Sequence, residues 1–464
     1  MMKNPLQPDW LVAQKELDGK IWSKTARRNK SGAIEVGGIS VAELVRKFGS
    51  PLYVVDEEDF GLRLTAVKKA FAEAASKHGT QVKLYYASKA LLTTEVIRWV
   101  VDAGYAVDVS TGGELAVTLA AGASGDQIGL HGNNKSLVEI GRAVSADVSA
   151  IVIDSEIEIE RIASVAGAQD KVQPVRLRVN TGVHAHTHEY LATASEDQKF
   201  GVPMSEVESL VAKIREHNHL RFLGLHAHIG SQIFSPDGFV ESANRLLDLH
   251  ARLLAQGEVP ELNLGGGFGI AYTQEDKPLP IKEMAERIVS AVAAKCHDLQ
   301  IAIPKLAFEP GRVIAGPAGM TVYTVGTTKP VKLEETGATR LYVSVDGGMS
   351  DNARPALYGA EYSVALASRN SDQQQELVRV VGKHCESGDI VVRHGLLPKN
   401  VGVNDLLAVP ATGAYCFSLS SNYNFVPRPA MVAVKSGEAK LLVRAETEQD
   451  LLARDTGYET GGER

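Results

Sequence analysis

The chain has 464 residues, 44% of them hydrophobic and 23% charged, and 49 basic against 56 acidic side chains leave a net charge of −7. That length allows about two or three domains with a large core, and the acidic balance excludes a general nucleic-acid binder, because no basic stripe exists to neutralise phosphates. Three cysteines are too few for a disulfide framework, no stretch approaches the roughly 18 apolar residues of a membrane span, and the amino terminus lacks a signal-peptide core, so the expected compartment is the cytoplasm.

The first 50 residues open with a polar segment holding the one basic cluster, Lys24, Arg27, Arg28 and Lys30. Ala33–Val36 and Ile39–Val41, separated by Gly37-Gly38, read as a strand, a turn and a second strand. Leu52–Val55 is another apolar run after Pro51. Asp56 then stands where it can cap a helix to about Lys77, with Phe60, Leu64, Val67 and Phe71 at helical spacing.

From Val82 strand-like and helix-like segments alternate. The strands are Val82–Ser88, Ala106–Ser110, Ile128–His131, Ala150–Asp154, Pro174–Asn180, Arg221–His228, Glu261–Leu264 and Lys305–Glu309. Helices with one apolar face lie between them, and Ser155 with Glu158 and Ser205 with Glu208 have capping-box spacing. Eight such units over about 260 residues predict a (β/α)8 barrel. An open doubly wound sheet shares the alternation, but only a barrel brings all eight polar strand ends to one mouth. Those ends are Lys89, Asp108 with Ser110, His131, Asp154, Arg178 with Asn180, His226 with His228, Gly265–Gly267, and Glu309 with Arg312.

Beyond Arg312 helical periodicity stops and short β-runs follow, with Lys435–Glu438 as a hairpin turn. The expected organisation is therefore residues 1–50 contributing strands to an all-β domain, 51–312 forming the barrel, and 313–464 completing the β-domain.

Several groups carry chemical meaning. Lys89 ends the first barrel strand, and a lysine amine becomes a Schiff-base nucleophile once burial or a nearby cation lowers its pKa. Gly265-Gly266-Gly267-Phe268-Gly269 exposes backbone N–H groups to an anion, or is a tight turn. Glu309 in Glu309-Pro310-Gly311-Arg312 can keep a pyridine nitrogen protonated, or form a surface ion pair with Arg312. His228 can stack on a flat ring. His184, His186 and His188 alternate, but with no cysteine or further carboxylate at ligand spacing no metal is expected.

Taken with Tyr85–Ala90, Gly112–Leu115, His131–Ser136, Gly224–Gln232, Asp351–Tyr358, Cys385–Asp389 and Gly413–Tyr415, these segments resemble the barrel-type pyridoxal-phosphate enzymes with the alanine racemase and ornithine decarboxylase fold. Within that group the chain is similar to the diaminopimelate decarboxylase family, from about Gly37 to Leu452. The resemblance implies a pyridoxal 5′-phosphate cofactor carried by Lys89, with Asp108 among its neighbours, His228 on its ring and Glu309 at its nitrogen. Ser231, Gly267, Gly311, Arg312 and Tyr415 are implied around the phosphate and nearby groups. Arg312, Arg354 and Tyr358 are implied for substrate carboxylate, with Tyr415 beside them, Glu386 for the distal amine, and Cys385 as proton donor.

The implied reaction is decarboxylation of meso-2,6-diaminopimelate to L-lysine and CO2, the last step of lysine biosynthesis. It is implied to occur in a homodimer whose Cys385–Asp389 loop completes the partner's site. A related decarboxylase acting on ornithine, arginine or carboxynorspermidine, an amino-acid racemase and a non-catalytic cofactor carrier are the alternatives. Two departures from the family pattern are Lys383-His384 before Cys385, where many relatives have proline, and the longer His184–His188 stretch.

Overall fold

Runs that are apolar at every position need cover on both faces of a sheet, and Ala106–Val109, Ile128–Leu130 and Ala150–Ile153 are buried throughout. In the computed structural model, which describes residues 4–13, 16–183, 198–334 and 337–458, these runs are staves of a closed parallel ring. Its strands are Val82–Ala87, Ala106–Val109, Ile128–Leu130, Ala150–Ile153, Gln173–Asn180, Leu220–His226, Glu261–Asn263 and Lys305–Phe308. Each pairs with the next, and the ring closes where Leu306 lies opposite Val82 and Phe308 opposite Leu84. The expected (β/α)8 barrel is formed, and this last pairing rules out the open sheet.

The barrel belongs to a unit of Gly61–Gly269 and Pro278–Ile314; a second unit holds Met1–Phe60, Ile270–Lys277 and Ala315–Arg464. Among the described residues, no helix is long and apolar enough to cross a membrane.

Inside the barrel a buried polar layer plugs the end away from the strand carboxyl termini. Arg176 donates to Glu261 Oε2 at 2.6 Å and to the Tyr85 hydroxyl at 2.9 Å. A buried guanidinium needs such partners to offset lost hydration. Outside, the helices bury one stripe each; Glu156–Ala168 covers Ile159, Ile162, Ala163 and Ala166.

The two expected capping boxes are not formed. Ser155 stands at the N-cap without a side-chain bond. Glu158 turns inward instead, accepting from Lys135 Nζ and from the Asp154 N–H, each at 2.8 Å. The buried lysine outcompetes the serine because an unpaired ammonium there would cost more than a lost cap. At Ser205 a 3-10 turn, Met204–Glu206, precedes the helix Val207–Glu216, which removes the box geometry. A box does form at the helix Leu137–Ser145, between Ser136 and Glu139.

The second unit is built on the long strand Gly319–Lys332, antiparallel to Leu52–Asp56, Leu406–Pro410 and Thr339–Val345. Leu52–Asp56 also pairs in parallel with Ala430–Lys435. The boundary expected at residue 51 therefore places this strand with the wrong sheet. All five of its residues are buried, so no alternation distinguishes one sheet from another. Asp56 performs the capping foreseen for it, accepting the Asp59 N–H at 3.1 Å. The Lys435–Glu438 turn also forms, with Ser436 at φ 51 and Gly437 at φ 84, the left-handed pair of a two-residue hairpin.

Asp351 is fully buried in this unit. It accepts from the Tyr323 hydroxyl and, at 2.6 Å, from the Gly348 N–H, while burial pushes its pKa up from 3.8 to about 7. An acid with a raised folded-state pKa stabilises the fold below its unfolded value, and that contribution is lost as pH rises through the folded value. Between pH 4 and 7 the wild type should lose up to about 1.4 kcal/mol per pH unit from this group. Asp351→Asn, which cannot titrate, should show a flatter dependence in thermal melts across that range; parallel curves would refute the assignment.

Candidate active site

Lys89 lies in the 3-10 turn Ser88–Ala90 directly after the first barrel strand, with Ser88 and Ala90 buried and its own side chain exposed at the mouth. Its charge is felt by the neighbouring groups. Burial, then the Lys89 ammonium, push the His228 pKa down to about 3, so this imidazole is neutral at physiological pH. The Gly266 N–H reaches His228 Nδ1 at 3.2 Å. That contact makes Nδ1 the acceptor and leaves the proton on Nε2.

Glu309 sits at the end of the eighth strand. Its Oε1 accepts from Asn263 Nδ2 at 2.8 Å, with His226 Nε2 at 3.1 Å and His131 Nε2 at 3.4 Å. Burial alone would raise its pKa, but His226 and His131 outweigh that and hold the carboxyl well below its usual range. Asp108, 3.4 Å from His131, moves the other way: burial and then the Glu309 charge push it well above its ordinary value. Two neighbouring carboxyl groups are thus shifted in opposite directions, Glu309 toward the charged form and Asp108 toward the neutral one.

The glycines leave no room for side chains. A Cβ on Gly266 would lie 1.9 Å from the Glu309 carbonyl, and one on Gly267, at φ 108, 2.2 Å from that of Gly230. Gly311 packs on the first strand's end, where its Cβ would come within 2.9 Å of the Ala87 Cβ. Ser231 and Arg312, 81 positions apart, meet through a 2.8 Å bond from a guanidinium N–H to the serine hydroxyl.

The barrel mouth has the groups that the cofactor implied by the sequence pattern requires. It offers an ionised carboxylate for a protonated ring nitrogen, a neutral imidazole face, a lysine amine and a glycine cradle. Among the described residues its buried Asp108 Oδ1 and His226 Nδ1 have no hydrogen-bond partner. The residues fit pyridoxal phosphate. His131, His226 and Glu309, whose ligand atoms all lie within 4.8 Å of one another, are also the residue types of a divalent-metal site. His184, His186 and His188, considered as ligands from the sequence, lie outside the described residues.

In the second unit, Arg354 is buried with its guanidinium 4.6 Å above the Tyr272 ring and hydrogen-bonded to the Tyr362 hydroxyl. Tyr358 ends the same short helix and is 69% exposed. Cys385 is the one exposed cysteine of three, next to the exposed Glu386. Tyr415 adopts φ 64, strain a bulky residue retains where the surroundings or function demand it.

Of the residues singled out from sequence, Lys89, Asp108, His228, Gly267 and Glu309 gather at the barrel mouth, and Ser231 joins Arg312. Arg354, Tyr358, Cys385, Glu386 and Tyr415 belong to the other unit. The sequence placed His131 and His226 among the strand ends but gave them no role, and it did not single out Asn263. The signal for His226 was present, since it lies two residues before His228 on one strand and so shares its face.

Comparison with known proteins accords with this geometry. Residues 64–316 match the family of the pyridoxal-dependent decarboxylases, pyridoxal binding domain. Diaminopimelate decarboxylase of Mycobacterium tuberculosis is 47% identical over 441 residues, covering 93% of this chain and 97% of that protein. The chain belongs to the diaminopimelate decarboxylase family. The Bacillus subtilis member is 41% identical, with 94% and 98% covered. The crystal structure of the M. jannaschii member in complex with L-lysine superposes with a TM-score of 0.86 at 30% identity, covering 93% of this chain and 98% of that one. The matched pyridoxal-binding segment contains every barrel-mouth residue named above, from Lys89 to Arg312.

Proposed function

We propose that this protein removes one carboxylate of meso-2,6-diaminopimelate as CO2 to give L-lysine, with pyridoxal 5′-phosphate held at the barrel mouth. The observation that carries the reading is that the barrel mouth brings together Glu309, held by Asn263, His226 and His131, the His228 ring fixed by the Gly266 N–H, and Lys89 at the end of the first strand. When bound, the cofactor supplies an electron sink for the charge left at the α-carbon. Lys89 Nζ is its covalent attachment point, and Glu309 keeps a proton on the ring nitrogen. His228 supplies a flat, uncharged face that neither repels a cationic ring nor draws in water. Gly267, Gly311, Ser231, Arg312 and Tyr415 hold the phosphate end.

Arg312, Arg354 and Tyr358 take substrate carboxylate, Glu386 takes the distal ammonium, and Cys385 Sγ delivers a proton to the α-carbon after CO2 has left. Cys385 and Glu386 serve the site of a second subunit in a homodimer. All three cysteines are free, which supports a reducing, cytoplasmic setting.

Measured CO2 release from a panel of amino acids tests this function. Lysine and ornithine lack the distal carboxylate, and depriving a buried arginine of that charged partner should make them poorer than diaminopimelate by about 10³-fold or more in kcat/KM. Comparable turnover of ornithine and diaminopimelate would overturn the substrate assignment.

A further inference from the structure

Cys385 and Glu386 project from a surface loop, yet the residues around them form a braced frame. Asp389 ties the loop at two points, accepting the His384 N–H at 2.8 Å and the Met349 N–H at 2.6 Å. The Gly382 Cα is so close that an added Cβ would lie 2.2 Å from the same carboxylate. His384 is buried and both of its ring nitrogens are engaged, Nε2 with Ser350 Oγ at 2.8 Å and Nδ1 with Asn424 Oδ1 at 3.2 Å.

The Tyr423 ring lies against that of His384, with centroids 5.6 Å apart. Its hydroxyl donates to Glu386 Oε1 at 2.5 Å. That carboxylate in turn pushes the Tyr423 phenol above its usual pKa, so it remains a donor. Asn424 and Phe425, at φ 52 and 55, hold the adjoining turn in the left-handed region. Strain of that kind persists where neighbouring contacts over-determine the backbone.

We propose that His384 and Tyr423 are positioning residues for the Cys385–Glu386 pair. The clamped His384 ring sets the turn that presents Cys385. The Tyr423 hydroxyl fixes the Glu386 carboxylate, making Tyr423 a determinant of specificity for a substrate with a distal ammonium. This rests on the roles proposed above for Cys385 and Glu386. It also gives a use to the histidine that stands where many relatives carry proline: a proline ring could make neither side-chain bond.

A hydrogen bond to a charged acceptor restricts where that acceptor's charge lies, so its loss should appear in substrate binding before chemistry. In the holoenzyme, Tyr423→Phe, which keeps the ring against His384, should raise KM for diaminopimelate about 10-fold with kcat within about twofold. In a Glu386→Gln background the same change should alter KM by less than about twofold, since the partner is already altered. If Glu386→Gln raises KM but Tyr423→Phe does not, the brace is idle and this inference is overturned while the substrate assignment stands. If Glu386→Gln itself leaves KM unchanged, the role of Glu386, and this inference with it, is overturned.

The His384 arm is read on the thiol, because Cys296 and Cys416 are buried and only Cys385 is accessible. His384→Ala should speed iodoacetamide alkylation of Cys385, followed by mass spectrometry, about threefold or more and lower kcat about 10-fold. His384→Gln, which can keep one side-chain bond, should fall nearer wild type. Alkylation rates and kcat equal in wild type and both variants would overturn the role of His384.

Discussion

Lys89→Ala should be inactive, lower in kcat by on the order of 10³-fold or more. It should also lose the visible absorbance band that borohydride abolishes in the wild type. Both effects follow from position. The residue leaves a fully paired barrel strand through a turn whose flanking side chains are buried, so the amine is delivered to one place at the mouth. There its charge bears on Asp108, His131 and His228 together. The nearest competitor for the role is Lys135. Its ammonium is already fully used, donating to the carbonyls of Gly132 at 2.5 Å and Val152 at 2.8 Å and to Glu158 at 2.8 Å. Three donors with three acceptors leave it no lone pair to offer, and losing the proton would leave the buried Glu158 charge without its counter-ion. Borohydride reduction followed by peptide mass mapping should therefore place the cofactor adduct on Lys89 alone. A stable adduct on any lysine of the Lys89→Ala variant would show that another residue carries the cofactor.

Mixing two dead variants should restore activity. If Lys89 from one subunit and Cys385 from the other share a site, Lys89→Ala and Cys385→Ala homodimers each lack one essential group in every site. A heterodimer places both lesions in one site and leaves the other whole. Random reassortment makes about half the dimers mixed, each with one intact site of two, so activity should return to roughly a quarter of wild type. The exposed Cys385 and Glu386 are the side chains such an arrangement requires at a subunit surface. Subunit exchange is verified by differential tags before the assay. An inactive mixture with proven exchange would mean that Cys385 acts within its own chain.

The elements of this fold were legible because their signals are local. Apolar runs bounded by glycine and polar residues gave eight strands, and the polar residue at each carboxyl end followed from where the run stopped. The Ser436–Gly437 turn was readable for the same reason, since left-handed backbone restricts residue choice at the turn itself. The motifs also marked Lys89, His228, Glu309 and Arg312 without reference to anything distant.

What the sequence alone determined is therefore what lies along the chain: strand and helix periodicity, turn chemistry and the identity of the groups at each strand end. The tertiary structure decided which groups meet. Leu52–Asp56, buried on both faces, could have joined either sheet, and hydrogen bonding to Gly319–Lys332 and Ala430–Lys435 settled it. Glu158 has the spacing of a cap, but a lysine 23 positions earlier in the chain claimed it. The charge of Glu309 depends on His131, His226 and Asn263, which come from three other strands or strand ends and reach one oxygen only because the barrel closes. Backbone periodicity is set by neighbours within a few residues, whereas the ionisation of a buried group is set by whatever the fold brings within a few ångströms.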